Sequence, residues 1–225
     1  MFRAPPRIRR RVAGQAGELT RCRPCRSQGV PMGKVFDGLD GGLREFIAAQ
    51  QVFFVATAPL SPEGHVNVSP KGLDTFRVLG PRRVAYLDLT GSGIETVAHL
   101  RENGRVTLMF CALAGPPRIV RLYGSGRVVE PGDEGWGELA RHFPAHTGAR
   151  SVIVVELDRL ADSCGYGVPL FEFAGQRAQL PAWAGRKRAE GLARYRREKN
   201  RESIDGLPGL RQTGEFRSWP GRSGR

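Results

Sequence analysis

Apolar and polar positions alternate in short runs along most of this chain, and the spacing widens to three or four residues in only a few places. Alternation marks a half-buried strand; the wider spacing marks an amphipathic helix. Leu43, Phe46 and Ile47 stand at i, i+3 and i+4 and predict a short helix over 40–50. The β-rich run VFFVATA follows at 51–58, and Pro59 with Ser61-Pro62-Glu63-Gly64 supplies a turn. From there Val66 and Val68 share one face, while His65, Asn67 and Ser69 share the other. Pro70 has no N–H to give a ladder and ends the pairing.

A strand at about 83–89 leads into a helix at 93–102. Ser92 and Glu95 are spaced as a capping box for that helix, Ile94, Val97 and Ala98 form its apolar stripe, and Asn103-Gly104 stops it. Arg105 to Phe110 alternates cleanly, and Arg118 to Val129 reads as a long strand bent at Gly124 and Gly126. A helix at about 133–142 and an apolar strand at 151–158 follow. Residues 183–200 are helical in pattern but heavily charged, which reads as a solvated surface helix with basic residues in reach of a phosphate or a partner subunit. The expected fold is mainly β (α+β): six or seven antiparallel strands in a small closed or split β-barrel with short peripheral helices, since hairpin-length connections argue against βαβ repeats.

Composition changes this picture mainly through charge. The formal net charge of +13 suggests a nucleic-acid partner until its distribution is read. Residues 1–31 carry eight Arg and one Glu, and residues 211–225 carry four Arg and one Glu, so residues 32–210 keep only +3. The basicity belongs to the ends, and a nucleic-acid role is not expected of the core. Residues 1–31 read as an Arg-rich disordered extension, with Met32 opening a more ordinary sequence and favoured over Met1 as the functional start. The barrel domain is expected over 32–180, a helical segment over 181–210, and a disordered tail over 211–225.

No apolar run of about 18 residues exists, so no transmembrane helix and no membrane partner are expected. Cys22 and Cys25 form a CxxC, but Cys111 and Cys164 are isolated, so neither a disulfide framework nor a metal site is expected. Reduced thiols without a secretory signal point to the cytoplasm. Cys111 ends an apolar strand and is expected in the core.

The clearest chemistry lies between Val52 and Phe110. The segment Thr90-Gly91-Ser92-Gly93 joins a strand to a helix start through glycines, so backbone N–H groups and the Thr90 and Ser92 hydroxyls are available to an anion. It has neither Walker A nor GxGxxG spacing. Lys71, at a strand end, can neutralise a phosphate as a point charge, and Ser69 and Asn67 face the same way. His65 shares that face but has no evident Ser, Asp or Cys partner, and reads as a loop histidine. The turn Cys164-Gly165-Tyr166-Gly167-Val168-Pro169 reads as a tight connection, where a Tyr could equally pack on a ring or line a pocket.

The series VFFVATA, GHVNVSPKG and RVAYLDLTGSGIETVAHLRENGRVTLMF resembles the pyridoxamine 5′-phosphate oxidase-like family of FMN-binding split barrels over roughly residues 40–160. The GYGVP turn and the EKNRESIDGLPGL segment resemble an uncharacterised branch of it. The resemblance implies a homodimer with FMN across its interface, a flavoprotein with oxidoreductase activity on a small-molecule redox substrate. It implies phosphate contacts from Asn67, Ser69 and Lys71 on one strand and from Thr90, Gly91, Ser92 and Thr96 about the helix start, with the backbone of Val66 to Val68 against the ring. Ile94, Glu95 and Thr96 stand where other members carry a Ser and a basic pair. That departure leaves an alternative: a split barrel binding haem or a deazaflavin, or a non-catalytic ligand-binding protein. No catalytic acid or base is identified.

Overall fold

β-branched and aromatic residues alternating with polar ones leave this chain few ways to bury its apolar faces except a curled antiparallel sheet. The computed structural model describes residues 33–211; the Arg-rich start, the CxxC and the end of the chain lie outside the described residues. The strands are β1 (Val35–Phe36), β2 (Phe53–Thr57), β3 (Asn67–Lys71), β4 (Phe76–Gly80), β5 (Arg83–Leu89), β6 (Arg105–Cys111), β7 (Ile119–Val129) and β8 (Ala149–Ser163). The helices are α1 (Gly41–Ala48), α2 (Glu95–Glu102), α3 (Trp136–Ala140) and α4 (Gln179–Lys199). One eight-stranded sheet runs β3-β2-β6-β7-β8-β5-β4, with β1 added beside β8.

The sheet closes on itself through its aromatic side chains. Phe53 of β2 lies near one edge of the strand order and Phe76 of β4 at the other, yet their rings meet at 5.3 Å. Phe110 packs on both, at 5.5 and 5.0 Å, and Tyr86 on Phe53 at 5.7 Å. Leu43 and Ile47 of α1 and Val97 and Leu100 of α2 complete this core. A second apolar cluster, of Leu87, Val129, Trp136, Leu139, Phe143, Val152 and Val154, gathers under α3.

Two strands are long enough to serve both ends of the sheet. β8 pairs with β5 through Ala149–Glu156 and with β1 at Leu160 and Ala161, and β7 runs beside it throughout. The bend expected in β7 is a register shift between Tyr123 and Gly124. There a Cβ on Gly124 would lie 2.1 Å from the Glu156 carbonyl oxygen, so only glycine lets the strands approach.

The sheet has eight strands where six or seven were expected: β1 and β4 are the additions, β1 only two residues long and β4 half-buried at every position, so that neither shows alternation. β8 is 15 residues long rather than eight, because its second half is exposed on alternate positions and reads as loop from sequence. α4 begins at Gln179 and is interrupted at Arg188 (φ 56°), so it is two helical pieces. The capping box does not form: α2 starts at Glu95, Ile94 holds the cap position without a side-chain bond, and Ser92 is exposed in the loop before it. Glu95 instead accepts from the Ile204 N–H at 3.4 Å, which draws it away from the reciprocal geometry a box requires. Cys111 is buried as expected.

Candidate functional site

β3 is an edge strand whose two faces meet different surroundings. Val66 and Val68 point outward and are 71% and 61% exposed, while Asn67 and Ser69 turn toward α2. Asn67 Nδ2 donates to Thr57 Oγ1 at 3.1 Å and Thr96 Oγ1 at 2.9 Å, and its Oδ1 accepts from the Ser69 hydroxyl at 3.0 Å. One asparagine thereby ties β2, β3 and the first turn of α2 together. Behind it Thr57 Oγ1 lies 2.9 Å from Nδ1 of His99, whose burial lowers its pKa and keeps it neutral. The Tyr86 hydroxyl and His99 Nε2 are buried beside this network without hydrogen-bond partners of good geometry.

A second cluster surrounds Asp88, which is fully buried at the end of β5. Arg150 Nε contacts Asp88 Oδ2 at 2.6 Å, Lys71 Nζ contacts Oδ1 at 3.4 Å, and the Ser151 hydroxyl adds a bond at 3.3 Å. Burial alone would push the Asp88 carboxyl up, but Arg150 and Lys71 hold it below the usual carboxylate range. Arg196 of α4 donates to Thr90 Oγ1 at 2.9 Å and to the Ala149 carbonyl at 2.8 Å. Its own burial, reinforced by Arg150, brings its pKa down to about 10. Three cations thus gather around one carboxylate.

The loop from Thr90 to Gly93 rests on that cluster. The Gly91 carbonyl accepts from Arg150 Nη1 at 3.3 Å and from Asn200 Nδ2 at 2.8 Å, and the Ser92 carbonyl from Asn200 Nδ2 at 3.4 Å. Every peptide bond among the described residues is trans, so the N–H that follows each carbonyl points the opposite way. The N–H groups of Ser92 and Gly93 therefore face away from Arg150 and Asn200, beside the exposed Ser92 side chain, and a Cβ on Gly91 would meet nothing within 4 Å. Glu95 folds back toward this loop, with Oε2 2.7 Å from where a Gly93 Cβ would stand.

The structure brings Asn67, Ser69 and Thr96 together as one bonded group, and it sets Lys71, Gly91 and Ser92 around the Asp88 cluster. Thr90 is turned inward: its hydroxyl donates to the Gly148 carbonyl at 2.8 Å and accepts from Arg196, so both its roles are committed to the protein. His65 does have an acidic partner, Asp205, which lies 140 residues away in sequence and so escaped a reading by local pattern. Tyr166 is exposed at the surface of its turn instead of lining a pocket. Sequence reasoning also missed Arg150, Arg196 and Asn200; the one signal was for Arg196, in the excess of basic residues of a helix that read as solvated, and nothing local marked Arg150 in β8 or Asn200 after α4. Among the described residues no helix is long and apolar enough to cross a membrane.

A curled antiparallel sheet with a polar seam between an edge strand and the helix after the next hairpin defines a split barrel. The pyridoxamine 5′-phosphate oxidase family profile matches residues 39–164, over half of the chain, and the chain belongs to that family. It is 40% identical over 205 residues to the pyridoxamine 5′-phosphate oxidase family protein ustO of Aspergillus flavus, covering 82% of each chain. Among solved structures it is similar to HupZ of Group A Streptococcus, at 19% identity and a TM-score of 0.43, over 54% of this chain and 90% of that one. It is also similar to an FMN-binding protein of Syntrophomonas wolfei, at 16% identity and a TM-score of 0.40, over 57% and 85% of the two chains.

Proposed function

We propose that this chain is an FMN-binding oxidoreductase acting on a small-molecule substrate, with the cofactor seated along β3 and the start of α2 and a second copy of the chain completing the site. The observation that carries this reading is the Gly91–Gly93 loop. Its outward N–H groups, the Ser92 hydroxyl and Lys71 form a donor set suited to a phosphate, and Arg150 and Arg196 stand behind it. Their guanidiniums supply positive charge where the helix start offers only Ile94, Glu95 and Thr96. Three cations crowded around one carboxylate repel one another, and an anion at the loop would relieve that repulsion.

In this reading Asn67, Ser69 and Thr96 hold the rest of the cofactor chain against the seam, and the backbone of Val66 to Val68 lies along the ring. FMN supplies the two-electron chemistry when bound; the protein binds it, orients it and keeps competing reactions away. Exposed Val66 and Val68 on an edge strand are the surface a second copy would cover. The reading places the protein in the cytoplasm.

Titration of purified protein with FMN, followed by quenching of flavin fluorescence, tests the reading. Saturable binding is expected, with riboflavin at least tenfold weaker because it lacks the phosphate. Lys71→Ala removes one charge-assisted contact, worth about 1.5–3 kcal/mol, and is expected to weaken FMN roughly 10- to 100-fold. Equal affinity for FMN and riboflavin would remove the phosphate assignment, and no binding of either would end the flavin reading in favour of a haem, a deazaflavin or a non-catalytic ligand.

A further inference from the structure

The chain carries a second chemical device beside the seam, and it uses residues the cofactor reading leaves idle. Asp205 reaches His65 with both oxygens: Oδ2 accepts the His65 backbone N–H at 2.8 Å, and Oδ1 stands 2.7 Å from Nδ1. These bonds hold the Asp205 carboxyl below its usual range, so it is an acceptor only and Nδ1 must carry the hydrogen. The neutral ring is then the Nδ1–H tautomer, with its lone pair on Nε2. Nε2 makes no hydrogen bond among the described residues, and the His65 side chain is 70% exposed against 15% for Asp205.

The position of the pair is as specific as its geometry. Ile204, next to Asp205, donates to Glu95 at the first turn of α2, and His65 stands two residues before Asn67, which bonds Thr96 on that same turn. The pair therefore spans the two elements assigned to the cofactor. Gly64 permits the approach: a Cβ there would lie 2.3 Å from Pro59 Cγ and 3.3 Å from Asp205 Oδ2.

We propose that His65 and Asp205 are a proton-transfer dyad at the mouth of the flavin site, with Nε2 exchanging a proton with the substrate and Asp205 as the positioning residue. The proposal rests on the FMN reading above. It fits a substrate with an O–H or N–H beside the carbon to be oxidised. The C–H bond breaks and its hydrogen leaves with the electron pair as hydride to FMN. The O–H or N–H bond also breaks, its electrons complete a C=O or C=N bond, and its proton passes to Nε2.

The test uses the full chain, free and saturated with FMN. Diethyl pyrocarbonate acylates neutral, accessible imidazole nitrogens, and peptide mass spectrometry separates His65 from the exposed His142, which serves as control. FMN is expected to slow His65 acylation at least tenfold and leave His142 unchanged. Nitrogen-15 NMR of the free protein is expected to show His65 as the Nδ1–H tautomer, with Asp205→Ala moving it toward Nε2–H. FMN binding without protection of His65, or an Nε2–H tautomer in the wild type, overturns the dyad. Absence of FMN binding instead removes the flavin reading and the site this dyad would serve, so the two failures are distinguishable.

Discussion

Replacing Arg150 with methionine tests the buried charge cluster on which the Gly91–Gly93 loop rests. The substitution keeps most of the aliphatic volume and removes the guanidinium 2.6 Å from Asp88, whose side chain is fully buried. Lys71 at 3.4 Å and the Ser151 hydroxyl at 3.3 Å remain, so the carboxylate is left under-compensated but not alone. Removing one partner of a buried pair costs about 3–5 kcal/mol. At about 2–4 °C per kcal/mol for a chain of this size, Tm is expected to fall by roughly 6–20 °C at pH 7.

The pH dependence gives a sharper check. In the wild type the Asp88 carboxyl sits below 3.8, so its contribution is present above about pH 4 and is lost as pH falls through the folded value. In Arg150→Met, burial pushes the same carboxyl up, so the variant's deficit exists only above that raised value and shrinks as Asp88 takes up a proton. Urea unfolding at pH 7, 6 and 5 should therefore show the two proteins converging as pH falls, and Asp88→Asn in the Arg150→Met background should recover part of the loss. A deficit below about 1 kcal/mol at pH 7, or one that grows toward pH 5, would refute the reasoning.

Three further outcomes are expected. Gly124→Ala forces a Cβ to 2.1 Å from the Glu156 carbonyl oxygen and should lower Tm by more than a surface substitution does, read by thermal unfolding. Phe53→Ala removes the ring through which β2 meets Phe76, Tyr86 and Phe110, and should cost about 3–5 kcal/mol in denaturant unfolding. Burial depresses the pKa of His99, so the unfolded chain takes up its proton first as pH falls; stability is therefore full above about 6.5 and declines below it, and His99→Asn should flatten that decline in unfolding curves between pH 7 and 5.

Where the chain makes one element per hydrophobic period, sequence was enough. The strand at 83–89 is β5 to the residue, and the bend in β7 follows from two glycines in an otherwise alternating run. What escaped were features that depend on distant partners. Ser92 and Glu95 have the spacing of a capping box, but a chain segment more than 100 residues later engages Glu95 and the loop. In the proposed site the positive charge missing from the helix start would come from β8 and α4, and no local pattern distinguishes Arg150 or Arg196 from a solvated arginine. Thr90 looked like a donor for a ligand because its neighbours in space, Gly148 and Arg196, are not its neighbours in sequence. His65 seemed unpartnered for the same reason.

The last strand of the sheet ends at Ser163, whereas Arg196, Asn200 and Asp205 all come more than 30 residues later. During synthesis the ribosome releases every strand before any of these three anchors emerges. A nascent or proteolytically clipped chain that ends after β8 therefore holds every strand of the sheet while lacking the struts of the loop and the partner of His65. In the proposed site, the loop's struts and the partner of His65 are therefore the last parts of the fold to be supplied, and a cut after β8 would remove them together with the core contacts of Ala184, Leu192 and Leu210.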